Sequence, residues 1–189
     1  HDAAAEVPDG RWQVADTDIG AVRYAVCLLG AELFDNLAFS VARAEATWMD
    51  PQQRLLLEHG YTALNGSGHE RSELLGRDVG VMVAIQAADF GSMTMAHPVD
   101  ELPVYAVSGF TFSVAAGRLS FVLGMQGPCY NADTACSTAL VVTHAAASMV
   151  RGDECEAALA LAVNLMLQPL GHVLISRAGM TSADGRCKF

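Results

Sequence analysis

The chain has 189 residues, 52% of them hydrophobic and 17% charged, a balance that builds one globular domain with a core and excludes disorder. A formal net charge of −10 argues against nucleic acid and anionic membranes as main partners. The most apolar run, Ala157 to Leu167, is too short to span a bilayer and contains Asn164. No signal-peptide pattern opens HDAAAEVPDGRW, so the expected location is cytoplasmic. The five cysteines (Cys27, Cys129, Cys136, Cys155, Cys187) are odd in number, widely spaced and without a C-x-x-C. That speaks against a disulfide framework or a zinc site, and no metal-ligand set is expected.

In chain order, the first 45 residues scatter aromatics among Asp, Gly and Pro and read as irregular connection with room for one short helix. At DPQQRLLLEHGYTALNGSG the signal sharpens. Asp50 is the expected N-cap, Pro51 the first helical residue and Gln53 the N3 partner of a near capping box. Leu56, Leu57, Tyr61 and Leu64 recur at helical spacing, and Asn65-Gly66 ends the helix. Val79 to Ile85, VGVMVAI, predicts a buried strand. Ala88 to Pro103 reads as a loop. Ser113 to Leu123 predicts a helix closed by Gly124, and Gly127-Pro128 a turn. Cys129 to Thr134 predicts a short strand, Cys136 to Val150 a helix, Glu156 to Leu167 a strand, Pro169 to Ala178 a helix and Thr181 to Gly185 a turn. Strands alternating with helices imply an α/β layered domain around a mostly buried sheet.

The stretch NADTACSTAL carries the chemistry. A strand, a tight turn and a thiol at the start of a helix put Cys136 where N–H groups lack partners and the macrodipole is positive. Both favour thiolate over thiol, and the same N–H groups can hold an oxyanion. Asp133 or Thr134 is the expected N-cap. The alanines at 139, 145, 146 and 147 make a slim helix able to run through a core. Free cysteine is also among the most buried residue types, so pattern alone leaves a structural role open. No base is at hand. His144 lies eight residues on, about 12 Å along a helix, and is expected to be a core or partly satisfied histidine. His59 belongs to the packing or solvent face of its helix, and His172 starts a short helix. GSGHER is a helix exit and not a phosphate cradle. Met93, Met95, Met125, Met166 and Met180 read as gap-filling core, and Arg177, Arg186 and Lys188 as a solvated face.

Several blocks then match one family. DTACSTAL at Asp133 to Leu140 resembles the DTACSSSL motif of the ketosynthase (β-ketoacyl synthase) domain of polyketide synthases. MDPQQRLLLE, FDNLAFSVARAEATWMDPQQ, AGRLSFVLGMQGP, VNLMLQP and SRAGMTSADGRCKF resemble its other blocks in the same order, from about Val7 to Phe189. The resemblance implies a thiolase-like layered α/β fold, of which residues 1–189 are most of the N-terminal half, a partial domain lacking the first strand and the C-terminal half. It implies that Cys136 accepts an acyl chain from a thioester and that the chain is then condensed with a malonyl-type extender on acyl carrier protein. Asp133, Thr134, Ala135, Ser137 and Thr138 would shape the turn and support the oxyanion, which the Cys136 N–H would help hold. The enzyme would have no cofactor of its own, since the phosphopantetheine arm belongs to the carrier. A homodimer is expected near Cys129 to Ala132, with the remainder of the domain or a covering partner over the exposed half.

Departures are part of the comparison. The family's two histidine motifs have no counterpart in the chain, so this stretch alone is not expected to condense anything. Leu161 and Ala162 stand where the family has glycines, which puts local packing and the active-site floor in question. Cys129 and Ala139 each replace a usual serine. The alternative function is a degenerate ketosynthase-derived structural or interaction subunit without catalysis. A cysteine hydrolase is a poorer alternative, because no His–Asp pair accompanies the thiol.

Overall fold

The structure is a computed structural model and describes residues 4–8, 11 and 23–186. In chain order its elements are β1 (Ala5–Glu6), β2 (Tyr24–Ala25), α1 (Arg43–Thr47), α2 (Pro51–Gly66), α3 (Arg71–Leu74), β3 (Val79–Ile85), α4 (Asp89–Met95), α5 (Ala106–Phe110), α6 (Phe112–Leu123), β4 (Cys129–Ala132), α7 (Thr138–Arg151), β5 (Ala157–Val163) and α8 (Pro169–Arg177), with short 3-10 turns at Val99–Glu101 and Ala135–Ser137. The chain divides into two units, one made of His1–Ala31 with Met166–Phe189, the other of Glu32–Leu165.

The larger unit is built on a parallel three-stranded sheet in the order β4-β3-β5. Its central strand, VGVMVAI, is buried along its whole length, as a parallel strand covered on both faces must be. Alternation sorts its side chains. Val79, Val81, Val83 and Ile85 join Leu56, Leu57, Leu64, Leu119 and Leu123 of α2 and α6 in one core cluster. Met82 and Ala84 face the other way and bury Val142 and Ala146 of α7. Each fully buried Leu, Val or Met contributes roughly 1.5–3 kcal/mol through apolar area removed from water. The result is three layers, with α2 and α6 on one face and α7 on the other.

Small residues set the spacing. A Cβ at Gly60 of α2 would stand 2.8 Å from Leu119 Cδ2 and 3.0 Å from Leu161 Cδ1, so glycine lets α2 lie this close to α6 and β5 without displacing those two side chains. On the opposite face Ala132, Ala158 and Ala160 pack around α7. That helix buries a single stripe, Thr138, Val142 and Ala146. The expected slim helix through a core is therefore covered on one side only, and Leu140 is 77% exposed.

The remaining expectations meet the structure element by element. Asp50 Oδ1 accepts the Gln52 N–H at 2.8 Å with Pro51 at the first position of α2. Gln53 is not a capping-box partner: its side chain donates to Ser108 O and Thr111 O and accepts from Arg118 Nε. Tertiary carbonyls outcompete the helix start for it. The stretch read as a loop, Ala88 to Pro103, holds α4 and a 3-10 turn. Gly91 lets α4 pack on Phe110 of α5, where an added Cβ would stand 3.1 Å from the ring, a contact that no local periodicity announces. α6 ends at Gly124 in the left-handed conformation, φ 72°. The strand expected over Cys129 to Thr134 stops at Ala132, and the one expected over Glu156 to Leu167 covers Ala157–Val163.

In the smaller unit β1 and β2 form an antiparallel pair, Ala5 opposite Ala25 and Glu6 opposite Tyr24, two short strands that the irregular reading of the first 45 residues did not include. Residues 1–3, 9–10 and 12–22 of that region lie outside the described residues. α8 starts with Pro169 and buries His172 and Val173. Gly185 closes the expected turn at φ 69°, with Tyr24 Cβ 2.5 Å from where its own Cβ would be.

Candidate active site

β4 delivers the chain to the turn that carries Cys136. After Ala132 the Asp133 carboxylate folds back and Oδ1 accepts the Ala135 N–H at 2.8 Å, an Asx-type turn. Ala135 takes up a left-handed conformation, φ 56°, which costs a residue with a Cβ about 1 kcal/mol. Thr138 holds the turn from the other side. Its buried hydroxyl accepts the Thr134 N–H at 2.7 Å and donates to Ala135 O at 2.6 Å. Ser137 Oγ donates to Thr134 O at 2.8 Å and lies 2.9 Å from Thr134 Oγ1.

Cys136 therefore sits in a 3-10 turn, Ala135–Ser137, and the α-helix begins two residues after it at Thr138. The expected helix start at Cys136 is shifted because the strained Ala135 tightens the entry. Asp133 does not cap α7, and Thr134 precedes the 3-10 turn without a side-chain bond to a helical N–H. Cys136 is exposed, as is Cys129; Cys27 is half-buried and Cys155 buried. Cys187 lies outside the described residues.

A cavity of about 310 Å³ opens beside the thiol, lined by Cys136, Ala139 and Thr138 from the turn and α7, and by Ile85, Gln86, Ala162, Val163 and Asn164 from the ends of β3 and β5. These are the carboxyl ends of parallel strands, where open α/β sheets bind ligands. The two residues standing at family glycine positions divide between the faces of β5. Leu161 packs against Gly60 of α2, and Ala162 lines the cavity. Ala162 thus borders the cavity beside Cys136 and Leu161 does not. Gln86 and Ile85 have no signal in the sequence that marks them as cavity residues.

Among the described residues no histidine lines this cavity. His144 is exposed on α7 and not in a core, and His59 is exposed on α2. His172 is buried in the smaller unit with Nδ1 unpartnered, and burial holds its pKa below the usual imidazole range. Of the five methionines read as core, Met125 is buried, Met166 is intermediate, and Met93, Met95 and Met180 are exposed. Arg177 and Arg186 are exposed, and Lys188 lies outside the described residues. Among the described residues there is no cluster of three potential metal ligands and no helix long and apolar enough to cross a membrane.

The model of the beta-ketoacyl synthase N-terminal domain matches residues 1–189, and the chain belongs to that family. It is 39% identical to erythronolide synthase EryA3 of Saccharopolyspora erythraea across 99% of its own length and 6% of that protein. It is 41% identical to the phenolphthiocerol synthesis polyketide synthase Pks15/1 of Mycobacterium bovis across 99% of its length and 9% of that protein. The chain thus spans less than a tenth of these relatives. Among solved structures, the ketosynthase from module 6 of the bacillaene synthase of Bacillus subtilis 168 superposes with a TM-score of 0.86 at 33% identity, covering 98% of this chain and 30% of that one. The fold is accordingly thiolase-like α/β.

Proposed function

We propose that this chain is the acyl-accepting part of a polyketide synthase ketosynthase and that Cys136 is its nucleophile. One observation carries the reading: an exposed thiol follows a non-glycine residue at φ 56° and opens on a cavity at the carboxyl ends of β3 and β5. Strained backbone of this kind is kept where function needs it.

The Cys136 thiolate attacks the carbonyl carbon of an acyl group carried as a thioester on the phosphopantetheine arm of acyl carrier protein. The Cys136 N–H, within the 3-10 turn, supports the oxyanion. Collapse of the tetrahedral intermediate expels the carrier thiolate, which takes up a proton, and leaves the acyl group on Sγ. A malonyl-type extender then loses CO2, and its carbanion displaces the Cys136 thiolate as the carbon–carbon bond forms. No residue of this chain is assigned to that decarboxylation. Asp133, Thr134, Ala135, Ser137 and Thr138 hold the turn, and Ala135 and Thr138 also line the cavity beside the thiol. The protein needs no cofactor of its own in this scheme, and we place it in the cytoplasm.

Among the described residues β4 is an edge of the sheet, paired to β3 on one side, and its other edge is where a second copy would add. A second reading has its own support, because Leu140, Val141 and Val150 leave α7 with exposed apolar side chains. A non-catalytic subunit built to be covered would look the same there.

Incubation with an acyl N-acetylcysteamine thioester, followed by peptide mass mapping, separates the two. Acyl mass on Cys136 ahead of the other four cysteines is expected. Equal loading on all five, or loading that spares Cys136, removes the nucleophile assignment and leaves the interaction subunit.

A further inference from the structure

Gln52 is 1% exposed and lies in the second position of α2, away from the Asp133–Thr138 turn. Its amide ties the start of α2 to the segments that follow β3 and β5. Its Nε2 donates to Ala87 O at 2.9 Å and to Asp50 Oδ2 at 3.2 Å, and its Oε1 accepts the Leu165 N–H at 3.0 Å. The orientation of the amide is set by its partners: a carbonyl and a carboxylate must meet the NH2, and a backbone N–H must meet the oxygen.

The register gives this arrangement its meaning. β3 and β5 pair from Val79 with Ala157 to Ile85 with Val163. Continued for two residues, the same register places Ala87 opposite Leu165. Those are the two backbone groups that the Gln52 amide joins. The ladder ends at Ile85–Val163, and a side chain inserted between the strands forms the next rung. An inserted amide holds the two ends further apart than a direct backbone bond would. The residues just before the rung, Gln86 and Asn164, are the ones that line the cavity beside Cys136.

We propose that Gln52 is a positioning residue that holds the ends of β3 and β5 apart and so sets the mouth of the Cys136 cavity, a role that rests on Cys136 as the reacting thiol. Gln52 touches neither the acyl group nor the thiol turn, which is held by Asp133 and Thr138. Its loss should therefore alter access to the cavity and leave the intrinsic reaction of the thiol alone.

Three measurements on the chain test this. In the unaltered protein the Leu165 amide, although beyond the last backbone rung, should exchange hydrogen as slowly as amides inside β5; exchange at the rate of open loop amides overturns the rung. In Gln52→Met, alkylation of Cys136 by iodoacetamide should stay within about twofold. The half-saturating concentration for loading from an octanoyl N-acetylcysteamine thioester should rise about tenfold, the size expected when a buried hydrogen-bonded group is lost. In Gln52→Glu, which keeps an acceptor for Leu165 but no donor for Ala87, the Leu165 amide should stay protected while the loading defect persists. Unchanged half-saturation in both variants refutes the positioning role. If Gln52→Met fails to fold, the Leu165 exchange of the unaltered chain and the Gln52→Glu loading still decide the matter. If the unaltered chain takes up no acyl group, the acyl-acceptor reading fails on its own, and slow or fast exchange at Leu165 still upholds or overturns the rung.

Discussion

Replacing Asp133 by alanine removes the one side-chain acceptor that holds the Ala135 N–H, a 2.8 Å bond at an exposed position. Such a bond is worth about 1 kcal/mol net, about the cost of keeping alanine left-handed. Without it the φ 56° conformer loses its compensation. Thr138 still clamps Ala135 O and the Thr134 N–H, so the turn should loosen and not melt. The expected result is a loss of about 1 kcal/mol in urea unfolding and a roughly fivefold change in the iodoacetamide rate at Cys136. Asp133→Asn keeps an oxygen in place and should retain the geometry, with stability within about 0.5 kcal/mol of the parent. Ala135→Gly should be near neutral, since relief of the left-handed strain offsets the extra freedom of the unfolded chain. The reasoning fails if Asp133→Ala leaves both stability and alkylation unchanged, or if Asp133→Asn loses as much as alanine does.

Two other outcomes follow from the packing and the burial. A Cβ at Gly109 would stand 1.8 Å from Trp48 O, and the same glycine's carbonyl accepts the buried Asp50 N–H at 2.9 Å. Gly109→Ala should therefore cost about 3 kcal/mol in urea unfolding through forced backbone retreat, and a loss under 1 kcal/mol would contradict the close approach. His172 is buried with its pKa below the usual 6.5, so the folded chain resists a proton that the unfolded chain accepts. Stability should be full above pH 6.5 and decline as pH falls from there toward the folded value. The urea midpoint of the parent should drop between about pH 7.5 and 5.5 by more than that of His172→Phe, and equal drops would place the titration elsewhere.

Much of the fold is written in short stretches. Asp50-Pro51 starts α2 because a capping carboxylate and a fixed φ act within one turn. VGVMVAI declares a buried strand because its seven residues carry no polar face. Gly124 ends α6 because few other residues sit easily at φ 72°. The place of Cys136, between a strand and a helix, was legible for the same reason: each signal is local.

Other features depend on bonding partners that no helix or strand pattern marks. Nothing near Ala135 announces a left-handed alanine, since its conformation is held by Asp133 and Thr138 acting together across the turn. Gln53 fits a capping box by spacing and instead serves carbonyls more than fifty residues away. α4 hides in a polar stretch because its packing partner, Phe110, comes later in the chain. The cavity residues Gln86 and Asn164 become neighbours only when β3 and β5 align in parallel. Gln52 acquires its role from the same register, through a bond to a residue 113 positions on. By itself the sequence determined the helix or strand character of α2, α6, α7, α8 and β3 to β5, and which thiol stands at a turn. Only the tertiary structure decided what the polar side chains of α2 hold and how the Cys136 cavity is framed, because sheet register joins groups that no local pattern connects.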